Sequence, residues 1–151
     1  MNLNATLLLV DDSENDLLLT RAAFKEAGFD IPLHEVHDGE EAIAYMKGEG
    51  PYSDRSKFPI PAVMLMDLNM PRKNGFDVLQ WIRAQPGLRR MSIIVLSASM
   101  HTADVERAFD LGANSYLVKP GTIKELIQMI RCLHDWLQYN HFPPLNDTVR
   151  P

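Results

Sequence analysis

Five short apolar runs punctuate the chain, at 7–10, 33–36, 62–66, 93–96 and 115–118. Each is four or five residues long, and most are too continuous for a strand with one wet face, so they predict strands covered on both sides. Between them apolar residues recur at helical spacing over 13–27, 39–47, 75–83, 103–111 and 122 to about 139. Ser13 stands three residues before Asp16, and Thr122 three before Glu125, both compatible with capping boxes at helix starts. Gly28 and Gly112 stand where two helices should stop. Five strands alternating with five helices predict one doubly wound parallel α/β sheet, because right-handed crossovers place helices on both faces.

Composition narrows the picture. A length of 151 residues with 46% hydrophobic and 23% charged positions fits one globular domain. The formal charge of -5 would repel nucleic-acid phosphates and anionic lipid surfaces, so neither is an expected partner. Cys132 is the only cysteine, which excludes an internal disulfide and a cysteine-based zinc site and fits a reducing, cytoplasmic setting. No apolar stretch approaches the roughly 18 residues of a membrane span. The five histidines show no metal-ligand spacing.

A doubly wound sheet carries its chemistry at the carboxyl ends of its strands. Asp11 and Asp12 follow the first run, Asp67 the third, Ser97 the fourth, and Lys119 and Pro120 the fifth. Singly, each is an ordinary cap, turn or surface residue. Together they put three carboxylates, a hydroxyl and an ammonium on one rim. Three like charges at close range either raise carboxylate pKa values or recruit a cation, and Mg2+ suits an all-oxygen donor set. With Lys119 as a second positive point, the arrangement suits phosphoryl transfer to a carboxylate, and Asp67 at the end of the central run is the expected nucleophile. No glycine-rich phosphate loop is present, and the loop after the first run is acidic, so a nucleotide site is not expected.

Four pieces in order, Asp11-Asp12, Asp67-Leu68-Asn69-Met70-Pro71 with Asn74-Gly75, Leu96-Ser97-Ala98, and Gly112 through Lys119-Pro120, resemble the receiver domain of two-component response regulators over about residues 5–138. The resemblance implies a flavodoxin-like sheet of order 2-1-3-4-5 with five helices. It implies phosphorylation of Asp67 by a sensor histidine kinase, with Mg2+ held by Asp12, Asp67 and the backbone carbonyl of Asn69, and by Asp11 through water. It further implies that Lys119, Ser97 and Ala98 contact the phosphoryl group, that Ser97 and Tyr116 form a switch, and that the Lys119–Pro120 bond is cis. Other readings stay open. A phosphatase of the haloacid dehalogenase type also uses an aspartyl phosphate, but this chain has Asn69 where that chemistry wants a second aspartate. A phosphorylation-independent interaction module is the other alternative.

Two segments depart from a minimal receiver. Residues 48–61 are rich in Pro, Gly and charge and predict a long surface loop open to a partner. Residues 1–140 are expected to form the receiver, and 141–151 an extended, proline-stiffened arm. With no second domain in the sequence, the output is expected from the receiver itself. In the last helix Ile123, Leu126, Ile127, Ile130, Leu133 and Leu137 form a core stripe, while Met129, Cys132, Trp136 and Tyr139 form a second. That second stripe with Phe142, Pro143 and Pro144 predicts a homodimer interface. The long loop and the Trp-containing last helix running into Phe-Pro-Pro are similar to response regulators that partner bacterial and cyanobacterial phytochrome kinases.

Overall fold

Alternation along single strands explains the layering. In the computed structural model, which describes residues 5–147, β1 (Leu7–Val10) is buried along its whole length. Leu7 and Leu9 enter one hydrophobic cluster, and Leu8 and Val10 the other, as the two-residue period of a strand requires. β3 (Val63–Met66) and β4 (Ser92–Ser97) repeat this. Val63, Leu65, Ile94 and Leu96 face the first side, and Met64, Met66, Ile93 and Val95 the second. The edge strands β2 (Leu33–Val36) and β5 (Ser115–Val118) are only partly buried.

All neighbouring strands are parallel, in the order β2-β1-β3-β4-β5. This is the doubly wound, flavodoxin-like arrangement expected from the sequence. The helices α1 (Glu14–Glu26) and α5 (Ile123–Gln138) cover the first face, through Leu17, Ala23, Phe24, Leu126, Ile130, Leu133 and Leu137. The helices α2 (Gly39–Lys47), α3 (Gly75–Arg83) and α4 (Thr102–Asp110) cover the second.

Caps set the helix boundaries. Ser13 and Thr122 accept the backbone N–H groups of Asp16 and Glu125, as the spacing predicts. The reciprocal box closes on α3, where Asn74 and Asp77 exchange side-chain and backbone bonds. Gly28 and Gly112 adopt φ of 73° and 105°, conformations open to glycine at little cost.

Two expectations need correction. Ile123 is 45% exposed and stands outside the core stripe, because as the first residue of α5 it opens the helix at the level of the strand ends. Residues 48–61 form the surface loop expected from the sequence, with Glu49, Pro51, Asp54 and Lys57 exposed, and Arg55 fastens it to α2. Arg55 donates to the carbonyls of Tyr45, Met46 and Phe58, capping α2, while Phe58 packs edge-on against both Tyr45 and Tyr52, which meet each other at a tilt. The arm, as far as residue 147, folds back on its own domain. Phe142 and Leu145 pack on opposite clusters, the Asn146 N–H donates to the Gly87 carbonyl, and Asp147 pairs with Arg55 at 2.7 Å. Two apolar side chains and one acidic one find local partners there, so the segment gains more by docking than by standing free. The rest of the expected arm, 148–151, lies outside the described residues.

Candidate functional site

The carboxyl ends of β1, β3, β4 and β5 meet where the crossovers reverse, and the predicted polar residues gather there. One carboxylate oxygen from each of Asp11, Asp12 and Asp67 lies within 4.8 Å of the others. Asp11 and Asp67 are buried and Asp12 is exposed. An all-oxygen set with one open side matches a hard divalent cation that keeps several waters. Asn69 is exposed two residues beyond Asp67, in the loop between β3 and α3.

The two buried carboxylates are each held by backbone. Asp11 Oδ1 accepts the Ser13 N–H at 3.0 Å, and Asp67 Oδ1 accepts the N–H of Leu68 at 2.8 Å. Gly75, opening α3, lies against this turn. A Cβ there would stand 2.6 Å from the Asp67 carbonyl oxygen, so no larger residue fits without moving the acid. Lys119 reaches across from β5. Its Nζ is 2.8 Å from Asp11 Oδ2, 2.8 Å from Asp16 Oδ2 and 3.4 Å from Asp67 Oδ2.

Burial raises the Asp67 pKa, Lys119 opposes that shift, and the Asp11 charge adds to it, leaving a net rise above 3.8. Burial alone would lower Lys119. The hydrogen bonds it donates to Asp11 and Asp16 and the charges of Asp67 and Asp11 outweigh it and raise its pKa, so it is a fixed positive charge at neutral pH.

Ser97 is fully buried, and its Oγ accepts the Ser99 N–H at 3.2 Å. Ala98 is exposed beside it. Tyr116 is turned inward, packed on the core with its hydroxyl donating to the Ser99 carbonyl at 2.9 Å. The Lys119–Pro120 peptide, expected cis from the resemblance, is trans, as is every peptide among the described residues. Trans is the form an X–Pro bond favours by roughly 0.5–1 kcal/mol.

Three residues at the site were not singled out by sequence. Asp16 reads as a cap, yet its carboxylate leaves the cap for Lys119. Ser99 binds both predicted switch residues and fastens the loop to α4 through Asp104 Oδ2 at 2.6 Å. Asp38, the fully buried cap of α2, accepts the Arg72 guanidinium and ties the loop carrying Asn69 to the start of α2. Arg72 holds φ of 65°, the one positive φ outside glycine among the described residues, a strained conformation that this pairing sustains. The carboxylates had a local signal, since each ends an apolar run. Asp16 and Asp38 had none for these roles, because Lys119 and Arg72 are distant in sequence, and Ser99 joins near partners, Ser97 and Asp104, to the distant Tyr116.

Known proteins share this fold. The family described as the response regulator receiver domain matches residues 7–131. Response regulator Rcp1 of Synechocystis sp. is 35% identical over 133 residues, covering 87% of this chain and 88% of that one. The Mn(2+)-bound form of Rcp1 matches with a TM-score of 0.81 at 34% identity, over 92% of this chain and 99% of that one. The phosphorylated cyanobacterial phytochrome response regulator RcpA matches at 0.84 and 32%, over 93% and 99%. Response regulator RPA3017 in red light signaling of R. palustris matches at 0.86 and 35%, over 92% and 98%. With the acidic rim, the opposing lysine and the strand order already in place, the match over most of its length makes this chain a member of the response regulator receiver family.

Proposed function

We propose that this chain takes a phosphoryl group onto Asp67 from the phosphohistidine of a sensor kinase. The observation that carries the reading is the buried Asp67 set against Lys119 with two further carboxylates beside it. Attack by an Asp67 carboxylate oxygen forms a P–O bond as the P–N bond to the kinase histidine breaks, and the imidazole leaves with its electron pair. Mg2+ would be held by Asp12, Asp67 and the Asn69 carbonyl, and by Asp11 through water. It supplies neutralising charge for the carboxylates and the phosphoryl oxygens. The chain's own residues do the rest. Lys119 meets charge on the phosphoryl group, and Ser97 and the Ala98 backbone bind its oxygens.

Signalling then follows from hydrogen-bond exchange. Ser97 must leave the Ser99 N–H to reach a phosphoryl oxygen, and Tyr116 holds the same Ser99 by its carbonyl. Movement of one therefore loosens the other and repacks the α4–β5 side, a population shift between two surfaces.

The kinase is of the phytochrome class, a reading supported by the likeness to Rcp1 and RcpA, and the two proteins meet in the cytoplasm. No described helix is long and apolar enough to cross a membrane. The homodimer forms through α5. Cys132 and Tyr139 are exposed, Trp136 is half exposed, and Met129 and Trp136 border a groove of about 580 Å³ against β5. Phe142, placed in the interface from sequence, is occupied by its own core.

The test is intact mass after incubation with acetyl phosphate and Mg2+. One phosphoryl adduct is expected in wild type, and none in Asp67→Asn or in wild type with a chelator. An adduct of equal size in Asp67→Asn overturns the assignment.

A further inference from the structure

Asp16 breaks a local rule. It is the third residue of α1, and in a capping box its carboxylate would return to the Ser13 N–H, as Asp77 does to Asn74 on α3. On α1 that N–H is taken by Asp11 Oδ1, and Asp16 Oδ2 turns instead to Lys119 Nζ. An ammonium has three protons. Here two close bonds go to Asp11 and Asp16, both at 2.8 Å, and Asp67 receives the long one at 3.4 Å. Beside the pair lies a cavity of about 60 Å³ lined by Asp16, Leu19, Leu96, Lys119 and Pro120. A water needs only about 10–15 Å³ of such space, so the ammonium has room to move.

We infer that Asp16 is a positioning residue that draws Lys119 away from Asp67 and so governs both cation binding and phosphoryl acceptance. The inference rests on the phosphoacceptor reading above. Asp11 Oδ2 keeps Lys119 at 2.8 Å while Asp67 Oδ2 holds it only at 3.4 Å, so the bond to Asp16 leaves Asp67 the freer of the two to take a cation. Without Asp16, Lys119 leans on Asp11 and Asp67, and a cation must displace it. The phosphoryl group makes the opposite demand. Its oxygens compete with Asp16 for the same ammonium proton, so loss of Asp16 releases Lys119 to them. Asp16 thus favours the metal and slows the transfer. A residue that merely capped α1 would do neither.

The experiment has two arms. Mg2+ affinity is measured by titration calorimetry, and adduct formation from acetyl phosphate at saturating Mg2+ by intact mass. The proteins are wild type, Asp16→Asn, Asp16→Glu, and Lys119→Ala with and without Asp16→Asn, each checked for folding by circular dichroism. Asp16→Asn is expected to weaken Mg2+ binding and to speed adduct formation, each by roughly three- to tenfold, the scale of a partly exposed charge pair. Asp16→Glu restores both. In the Lys119→Ala background the effect of Asp16→Asn on Mg2+ falls to less than half, because only its long-range charge remains. Unchanged Mg2+ affinity in Asp16→Asn, a loss of equal size without Lys119, or slower adduct formation in Asp16→Asn each overturns the inference. If wild type takes no phosphoryl group the phosphoacceptor reading fails, and the calorimetric arm still decides the role of Asp16.

Discussion

Asp67 is an acid placed where ionisation is disfavoured. Its folded pKa lies above the ordinary 3.8 through burial and the nearby Asp11, against the opposing pull of Lys119. The sign for stability follows. The folded state holds the Asp67 proton more tightly than the unfolded chain, so this group's contribution falls as pH rises from about 3.8 through the raised folded value. Asp67→Asn in a chelator is therefore expected to raise Tm at pH 7, and the gain should shrink as pH falls toward 3.8. Thermal unfolding at a series of pH values checks it. A lower Tm for Asp67→Asn at neutral pH means that Lys119 stabilises the ionised acid more than burial disfavours it. Sequence places this acid at a strand end by its position after an apolar run. The cost of ionising it depends on Asp11 and Lys119, which are 56 and 52 residues away along the chain.

At the scale of elements, a single guanidinium joins three segments with no shared pattern. Arg55 stops α2 by taking the carbonyls of Tyr45 and Met46, shapes the following loop through Phe58, and pairs with Asp147 near the end of the described chain. The sequence shows the loop as a stretch of breakers and charge, with no mark that one of its cations turns inward. Arg55→Ala is expected to cost about 1–3 kcal/mol, since carbonyls at the buried end of α2 lose charge-assisted partners. Hydrogen exchange should show faster exchange confined to residues 48–61 and the segment after α5, with β1 and β3 unchanged. Uniform loss of protection across the sheet would show instead that Arg55 supports the whole fold. The strands and helices were more legible, because each satisfies its own backbone and its burial follows a fixed period. Their ends match the apolar runs within one or two residues.

On the scale of the whole molecule, the face formed by α5 and the edge of β5 exposes large aromatic side chains beside an apolar groove. Trp136 is 49% exposed and Tyr139 86% exposed, and large aromatic side chains of this kind concentrate binding energy in interfaces. Sedimentation velocity at tens of micromolar is expected to show a dimer that Trp136→Glu converts to monomer, with the circular dichroism spectrum unchanged. A wild-type monomer, with and without acetyl phosphate and Mg2+, would falsify the dimer.

What the sequence alone determined is periodic or terminal. Apolar runs of four or five residues dictate strands covered on both faces, 3.6-residue spacing dictates the helices that cover them, and the parallel crossover rule brings the strand ends, with Asp11, Asp12, Asp67 and Lys119, to one rim. These follow from local sterics and the need to bury a face, which are written in neighbouring residues. The tertiary structure decided everything that depends on competition for a partner. Asp16 leaves its cap for Lys119, Asp38 engages Arg72, Ser99 links Ser97 with Tyr116, and the arm docks on its own domain. Each side chain had an adequate local partner or the solvent available. For Asp16 and Asp38 the choice was settled only when folding brought Lys119 and Arg72 into bonding range, where a charge-assisted bond outweighs a local one.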